Sequence, residues 1–153
     1  KRAGLLRRSA QFDRGDVALS MTLIGLLRSS GDLKGAEAET GRLAEMAGSM
    51  GDQSLRAKAM VELSLTRESS GDLDGALSRL AEAEKLLRSL GDRAGLVAVH
   101  MLRGNIEEKK GDYDSARAQY SEAARQAESI GDGAAMACAT RNLESLGDPR
   151  SGK

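Results

Sequence analysis

Eight Gly-Asp pairs punctuate the chain, at Gly15-Asp16, Gly31-Asp32, Gly51-Asp52, Gly71-Asp72, Gly91-Asp92, Gly111-Asp112, Gly131-Asp132 and Gly147-Asp148. Their successive spacings are 16, 20, 20, 20, 20, 20 and 16 residues. Chance does not set one dipeptide on such a grid, so the chain repeats a structural unit and its fold must repeat with it. Glycine tolerates the left-handed backbone at which helices end, and an aspartate after it can accept hydrogen bonds from the free N–H groups of a following helix. Each pair is therefore expected to stop one helix and start the next. The segments between them allow about 15–18 residues per helix, or about 25 Å. Helices of similar length joined by short connections lie antiparallel.

The residues between the pairs agree. From Gly71 to Gly91 the apolar positions are Leu73, Ala76, Leu77, Leu80, Ala81, Ala83, Leu86, Leu87 and Leu90, a helical stripe rather than the alternation of a strand. Leu55, Ala59, Met60 and Leu63 continue the pattern one segment earlier. Eighteen glycines against one proline would be odd for a chain otherwise favouring Ala, Leu, Glu and Arg, but eight of them delimit helices. The fold class is all-α.

Composition removes several functions. With 23 basic and 23 acidic side chains the net charge is zero, which argues against tracking nucleic-acid phosphates or a charged membrane surface. Aromatics make up 2% of the residues, too few for base-stacking platforms. A single cysteine makes neither an internal disulfide nor a multi-thiolate metal site. No apolar run approaches the roughly 18 residues of a membrane span, and the opening Lys1-Arg2-Ala3-Gly4-Leu5-Leu6 lacks a secretory core. A cytoplasmic location is expected, and a chain opening without Met is expected to belong to something longer.

Alternate segments differ, so the unit is 40 residues. Segments after Gly31, Gly71 and Gly111 open Leu33-Lys34-Gly35-Ala36, Leu73-Asp74-Gly75-Ala76 and Tyr113-Asp114-Ser115-Ala116. Gly111-Asp112-Tyr113, Ala116, Tyr120 and Ala123, with Gly104 in the preceding helix, resemble the tetratricopeptide repeat signature. Gly71-Asp72-Leu73, Ala76, Leu80 and Ala83, with Leu63 before them, match it second best. The unit at Gly31 keeps Leu23, Leu33 and Ala36 but has Thr40 and Leu43 where that pattern asks for bulky and small. The usual proline is replaced by a Gly-Asp turn with longer helices, as in the long-helix variant of kinesin light chains and bacterial signal-responsive regulators.

The resemblance implies a right-handed α-solenoid of antiparallel helix pairs, about three full repeats with a partial helix at each end. It implies one domain over residues 1–146, with a helix at about 4–13, pairs at 17–50, 53–90 and 93–130, a capping helix at 133–146 and a flexible tail at 147–153. It further implies a concave face lined by the first helix of each pair, which binds a protein or peptide. Position by position, that face would carry Met21 and Arg28, then Lys58, Val61, Glu62 and Leu65, then Met101, Leu102, Asn105 and Glu108, and finally Arg141. The family's carboxylate clamp is not implied, because Glu62 and Leu102 stand where asparagines are needed. The competing reading of the same residues is that they pack one helix against the next.

Chemistry is sparse. His100, the only histidine, sits among Val97, Val99, Met101 and Leu102 and reads as a packing residue. Cys138 lies among Met136, Ala137 and Ala139 and reads as small and buried. Pairs such as Glu82/Glu84 and Glu107/Glu108 are expected to diverge or face solvent. No phosphate loop, His-Glu motif or calcium loop occurs in the sequence. The expected protein is not an enzyme and needs no cofactor or metal. It is an interaction scaffold for a protein or peptide, without nucleic-acid or membrane partners. Two alternatives stand beside it, a regulatory arm of a larger signalling or transcription protein and a structural array that self-assembles through its ends.

Overall fold

The computed structural model describes residues 14–147. Among them every regular element is an α-helix, seven in all: α1 Arg14–Ser29, α2 Leu33–Met50, α3 Gln53–Ser69, α4 Leu73–Leu90, α5 Arg93–Lys110, α6 Tyr113–Ser129 and α7 Gly133–Ser145. The helix expected at 4–13 and the tail residues 148–153 lie outside the described residues. No described helix is long and apolar enough to cross a membrane.

Six of the Gly-Asp junctions, from Gly31-Asp32 to Gly131-Asp132, work as their chemistry predicts. Gly111 holds a φ of 82°, where a side chain would be strained. Its N–H donates to Glu108 O at 3.0 Å and the Asp112 N–H donates to Glu107 O at 2.9 Å, which closes α5. The Asp112 carboxylate then accepts from the Ser115 N–H at 3.1 Å and opens α6. Those bonds hold the Asp112 carboxyl below the ordinary 3.8, with the Ser115 backbone N–H the largest cause and its hydroxyl the next. The same N-cap recurs from Asp32, Asp52, Asp72, Asp92 and Asp132, each accepting from the N–H three residues on at 2.9–3.0 Å. Gly15-Asp16 departs from the pattern. Helix α1 already begins at Arg14, so Gly15 lies within it and Asp16 sits in its first turn, where an acid complements the helix dipole.

The chain divides into two compact units, Lys1–Glu82 and Ala83–Lys153, with the division inside α4. In the first unit α1 packs on α2 and α2 on α3, while α1 also touches α3. Ser64 on α3 donates its hydroxyl to the Ala76 carbonyl of α4 at 3.0 Å. The core there comprises Ile24, Leu43, Ala47, Leu55 and Ala59, with Val17 and Met21 packed against it. In the second unit α5 packs on α6 and α6 on α7. Ala116, Tyr120 and Leu146 form a core cluster with Met101 and Leu143 against it.

A 40-residue register exposes how this core is filled with so few aromatics. Ile24, Ser64 and Gly104 occupy equivalent positions on the first helices, while Thr40, Leu80 and Tyr120 do so on the second. All six are buried. As the first residue shrinks from Ile to Ser to Gly, its counterpart grows from Thr to Leu to Tyr. The two positions change size in opposite directions, and at Gly104 and Tyr120 they are in direct contact, where dense packing demands it. Thr40 is the smallest residue of its series. Its hydroxyl is satisfied by the Ala36 carbonyl at 2.7 Å.

Candidate functional site

In the first unit the residues singled out from the sequence lie on α1 and α3. Arg28 and Glu62 are brought together, with Arg28 Nη1 donating to Glu62 Oε2 at 2.9 Å. Their side chains are only 22% and 15% exposed, so the pair ties α1 to α3 instead of presenting two loose charges. Lys58 is exposed one turn before half-buried Val61 and two turns before half-buried Leu65, along one face of α3. Met21 packs against the core cluster, as the packing reading has it.

In the second unit Met101 likewise packs on the core around Tyr120. Asn105 and Glu108 meet at the Tyr120 hydroxyl, which lies 2.7 Å from Asn105 Oδ1 and 2.9 Å from Glu108 Oε2, two acceptors for its single proton. Burial first, and then the adjacent Glu108 carboxylate, raise the Tyr120 phenol above its ordinary value of 10. Leu102 is half-buried and Arg141 is exposed on α7. Cys138 corrects its reading. It is exposed, because Ala139 is the residue that α7 buries and position 138 turns 100° away from it.

Glu82 and Glu84 diverge, as expected, Glu82 toward Arg79 and Glu84 toward Arg103. Glu84 is 18% exposed and has Arg88, Arg103 and His100 around it. Arg88 donates to Glu84 Oε1 from Nη2 at 2.9 Å and from Nε at 3.2 Å, and Arg103 donates to Oε2. His100 Nε2 lies 3.6 Å from Oε1. His100 is buried, as a packing residue should be, but it is also polar in its contacts. Its Nδ1 is 2.8 Å from Gln119 Oε1, a carbonyl oxygen that can only accept, so Nδ1 carries the proton. His100 Nε2 and Arg103 Nε are buried without a hydrogen-bond partner. Among the described residues no serine, threonine or cysteine side chain contributes to this network. Among the described residues no group of His, Cys, Asp and Glu is arranged to hold a metal ion.

A cleft of about 400 Å³ opens beside this network, lined by Arg88 at the end of α4, Arg93 and Leu96 at the start of α5, and Arg125, Gln126 and Ser129 near the end of α6. Arg125 donates to Glu122 from Nη2 at 2.6 Å and from Nε at 3.0 Å. That bond is the chief reason the Glu122 carboxyl falls from its ordinary 4.5 to about 2, with a further contribution from Gln126. The cleft is not legible from helical periodicity. A comparison of equivalent positions 40 residues apart would flag it, because arginine does not recur there.

Neither the protein-family models nor the curated proteins give a match to this chain.

Proposed function

We propose that this chain is a protein-interaction module whose helix pairs belong to a long-helix tetratricopeptide α-solenoid, acting in the cytoplasm and binding a peptide or partner helix rather than catalysing a reaction. The observation that carries this is the face of α3. Lys58 is exposed there, and Val61 and Leu65 are neither buried in the core nor fully solvated. Beside them the Arg28–Glu62 pair is fixed at 2.9 Å. Apolar side chains held half-exposed next to oriented charges suit an amphipathic segment, whose apolar face covers Val61 and Leu65 while an acid meets Lys58. Met21 and Met101 are left out of this surface, since both pack on core clusters.

A displayed peptide library selected against the wild-type chain tests the reading. Selected peptides should bind the exposed-site variant Lys58→Glu and the double variant Val61→Ser/Leu65→Ser about tenfold or more weakly, a loss of about 1.4 kcal/mol. Peptides that bind all three proteins equally would overturn it. Lys58→Glu leaves the core untouched and separates lost binding from lost folding.

A second reading, self-association, is favoured by α1. Leu19, Leu23 and Leu26 are 71%, 42% and 63% exposed along one stripe of that helix. Sedimentation of the wild type and Leu26→Glu decides it. A monomer at every concentration for both would eliminate the idea.

A further inference from the structure

We propose that the cleft between the end of α4, the start of α5 and the end of α6 binds a compact polyanion, a ligand with two or more adjacent phosphate or carboxylate groups. This site shares no residue with the α3 surface and does not depend on the function proposed for that surface.

Its charged lining is exclusively arginine: Arg88, Arg93 and Arg125. Two of these are anchored from behind in the same way. Arg88 spends Nε and Nη2 on Glu84, and Arg125 spends Nε and Nη2 on Glu122. Each keeps Nη1 to offer, on side chains that are 50% and 71% exposed. The glutamates hold the guanidinium planes in place, so a ligand would not have to order them. Arg93 is exposed, and among the described residues it forms no ion pair or hydrogen bond through its side chain. Its full fork of donors is available.

The repeat itself does not account for this arrangement. Forty residues before Arg88, Arg93 and Arg125 stand Gly48, Gln53 and Lys85, and forty residues after Arg88 and Arg93 stand Glu128 and Gly133. Gly91 and Ser129, by contrast, recur as Gly51 and Ser89. The framework of the cleft belongs to the grid, and its arginines do not. Helix-end stabilisation alone would not place three arginines at one junction, since Arg93 sits at a helix start, where a cation opposes the dipole.

Size and polarity set the ligand class. About 400 Å³ exceeds what one oxyanion needs, and Leu96 is the lone apolar side chain of the lining. A greasy ligand therefore finds little to bury against. One carboxylate is satisfied by the Arg93 fork alone, and the Nη1 groups that Arg88 and Arg125 keep beside it call for further adjacent charges.

The test is calorimetric titration of the full chain at low salt with two probes, pyrophosphate for clustered phosphates and citrate for clustered carboxylates. Saturable binding of either supports the site, and the tighter probe identifies which chemistry it prefers. Arg93→Gln, at an exposed side chain without partners, should keep the wild-type thermal midpoint and bind about tenfold more weakly. Arg88→Gln/Arg93→Gln/Arg125→Gln should not bind. Added sodium chloride should weaken the wild-type interaction. The proposal fails if neither probe binds beyond a sulfate control of equal ionic strength, or if Arg93→Gln binds as the wild type does.

Discussion

Tyr120 packs against the backbone of Gly104. A Cβ at residue 104 would stand 2.4 Å from Tyr120 Cε1, 2.6 Å from Cδ1 and 2.9 Å from Cζ. The ring is fully buried and its hydroxyl is held by Asn105 and Glu108, so it cannot swing aside. Gly104→Ala should therefore destabilise the fold by about 1–3 kcal/mol through overpacking, although alanine is the better helix former. Urea unfolding measures it. A gain of about 1 kcal/mol, the value of helix propensity alone, would show that the ring relaxes.

The same ring carries an alkaline prediction. Its phenol is raised above the ordinary 10 by burial and by Glu108. A raised value means that the neutral, hydrogen-bonded form is favoured in the folded chain. The stabilisation is complete below 10 and is lost as pH rises through the elevated value. Tyr113, the other tyrosine, is 44% exposed. In Tyr113→Phe, phenolate absorbance should therefore appear only well above pH 10 and together with loss of helicity. Phenolate formation before any loss of helicity would contradict the geometry.

These residues mark how much the sequence discloses. The helix ends are legible because Gly-Asp encodes them locally, through a backbone angle and a carboxylate that need no tertiary context. Gly104 and Tyr120 each stand out on the 40-residue grid. That they touch, and that their sizes run opposite along the grid, becomes visible only once burial is known. The charged residues are the least legible. Glu84 resembles a solvent-facing acid in the sequence because its partners Arg103 and His100 come from another helix, 19 and 16 residues away in the chain. The cleft arginines stand on three helices, and no single-helix pattern joins them.

Glu122 should leave an acid signature. Its carboxyl is lowered from 4.5 to about 2, chiefly by the bond from Arg125. A lowered value stabilises the fold above 4.5, and this contribution disappears as pH falls through about 2. The stability gap between wild type and Glu122→Gln should be largest near neutrality and close across that window. Arg125 is 71% exposed, so the gap should also narrow in high salt. A gap that ignores both pH and salt would mean that Glu122 acts through packing.

Cys138 is exposed on α7. A thiol reagent should label it in the native state about as fast as in urea. Protection released only on unfolding would mean that the face of α7 carrying Ala137, Cys138 and Arg141 is covered in solution, by a second copy or another segment. Labelling at high protein concentration tells these apart, because self-association alone makes protection depend on concentration.

Glu84 permits a direct comparison of buried and exposed pairing at one carboxylate. Arg103 is 23% exposed and Arg88 is 50% exposed, and both donate to it. Desolvated pairs hold their energy because little water competes for either charge, whereas exposed pairs are screened. Arg88→Ala should therefore cost about 0–1 kcal/mol. Arg103→Ala should cost about 1.5–3 kcal/mol, since it leaves Glu84 with one solvated partner beside buried His100. In a double-mutant cycle, Glu84→Ala with Arg103→Ala should cost about 1 kcal/mol less than the two singles together. Equal coupling to Arg88 and Arg103 would show that burial does not set the strength of this hub. The ordering of the two couplings is thus a sharper test than either magnitude, because it depends on which arginine water reaches.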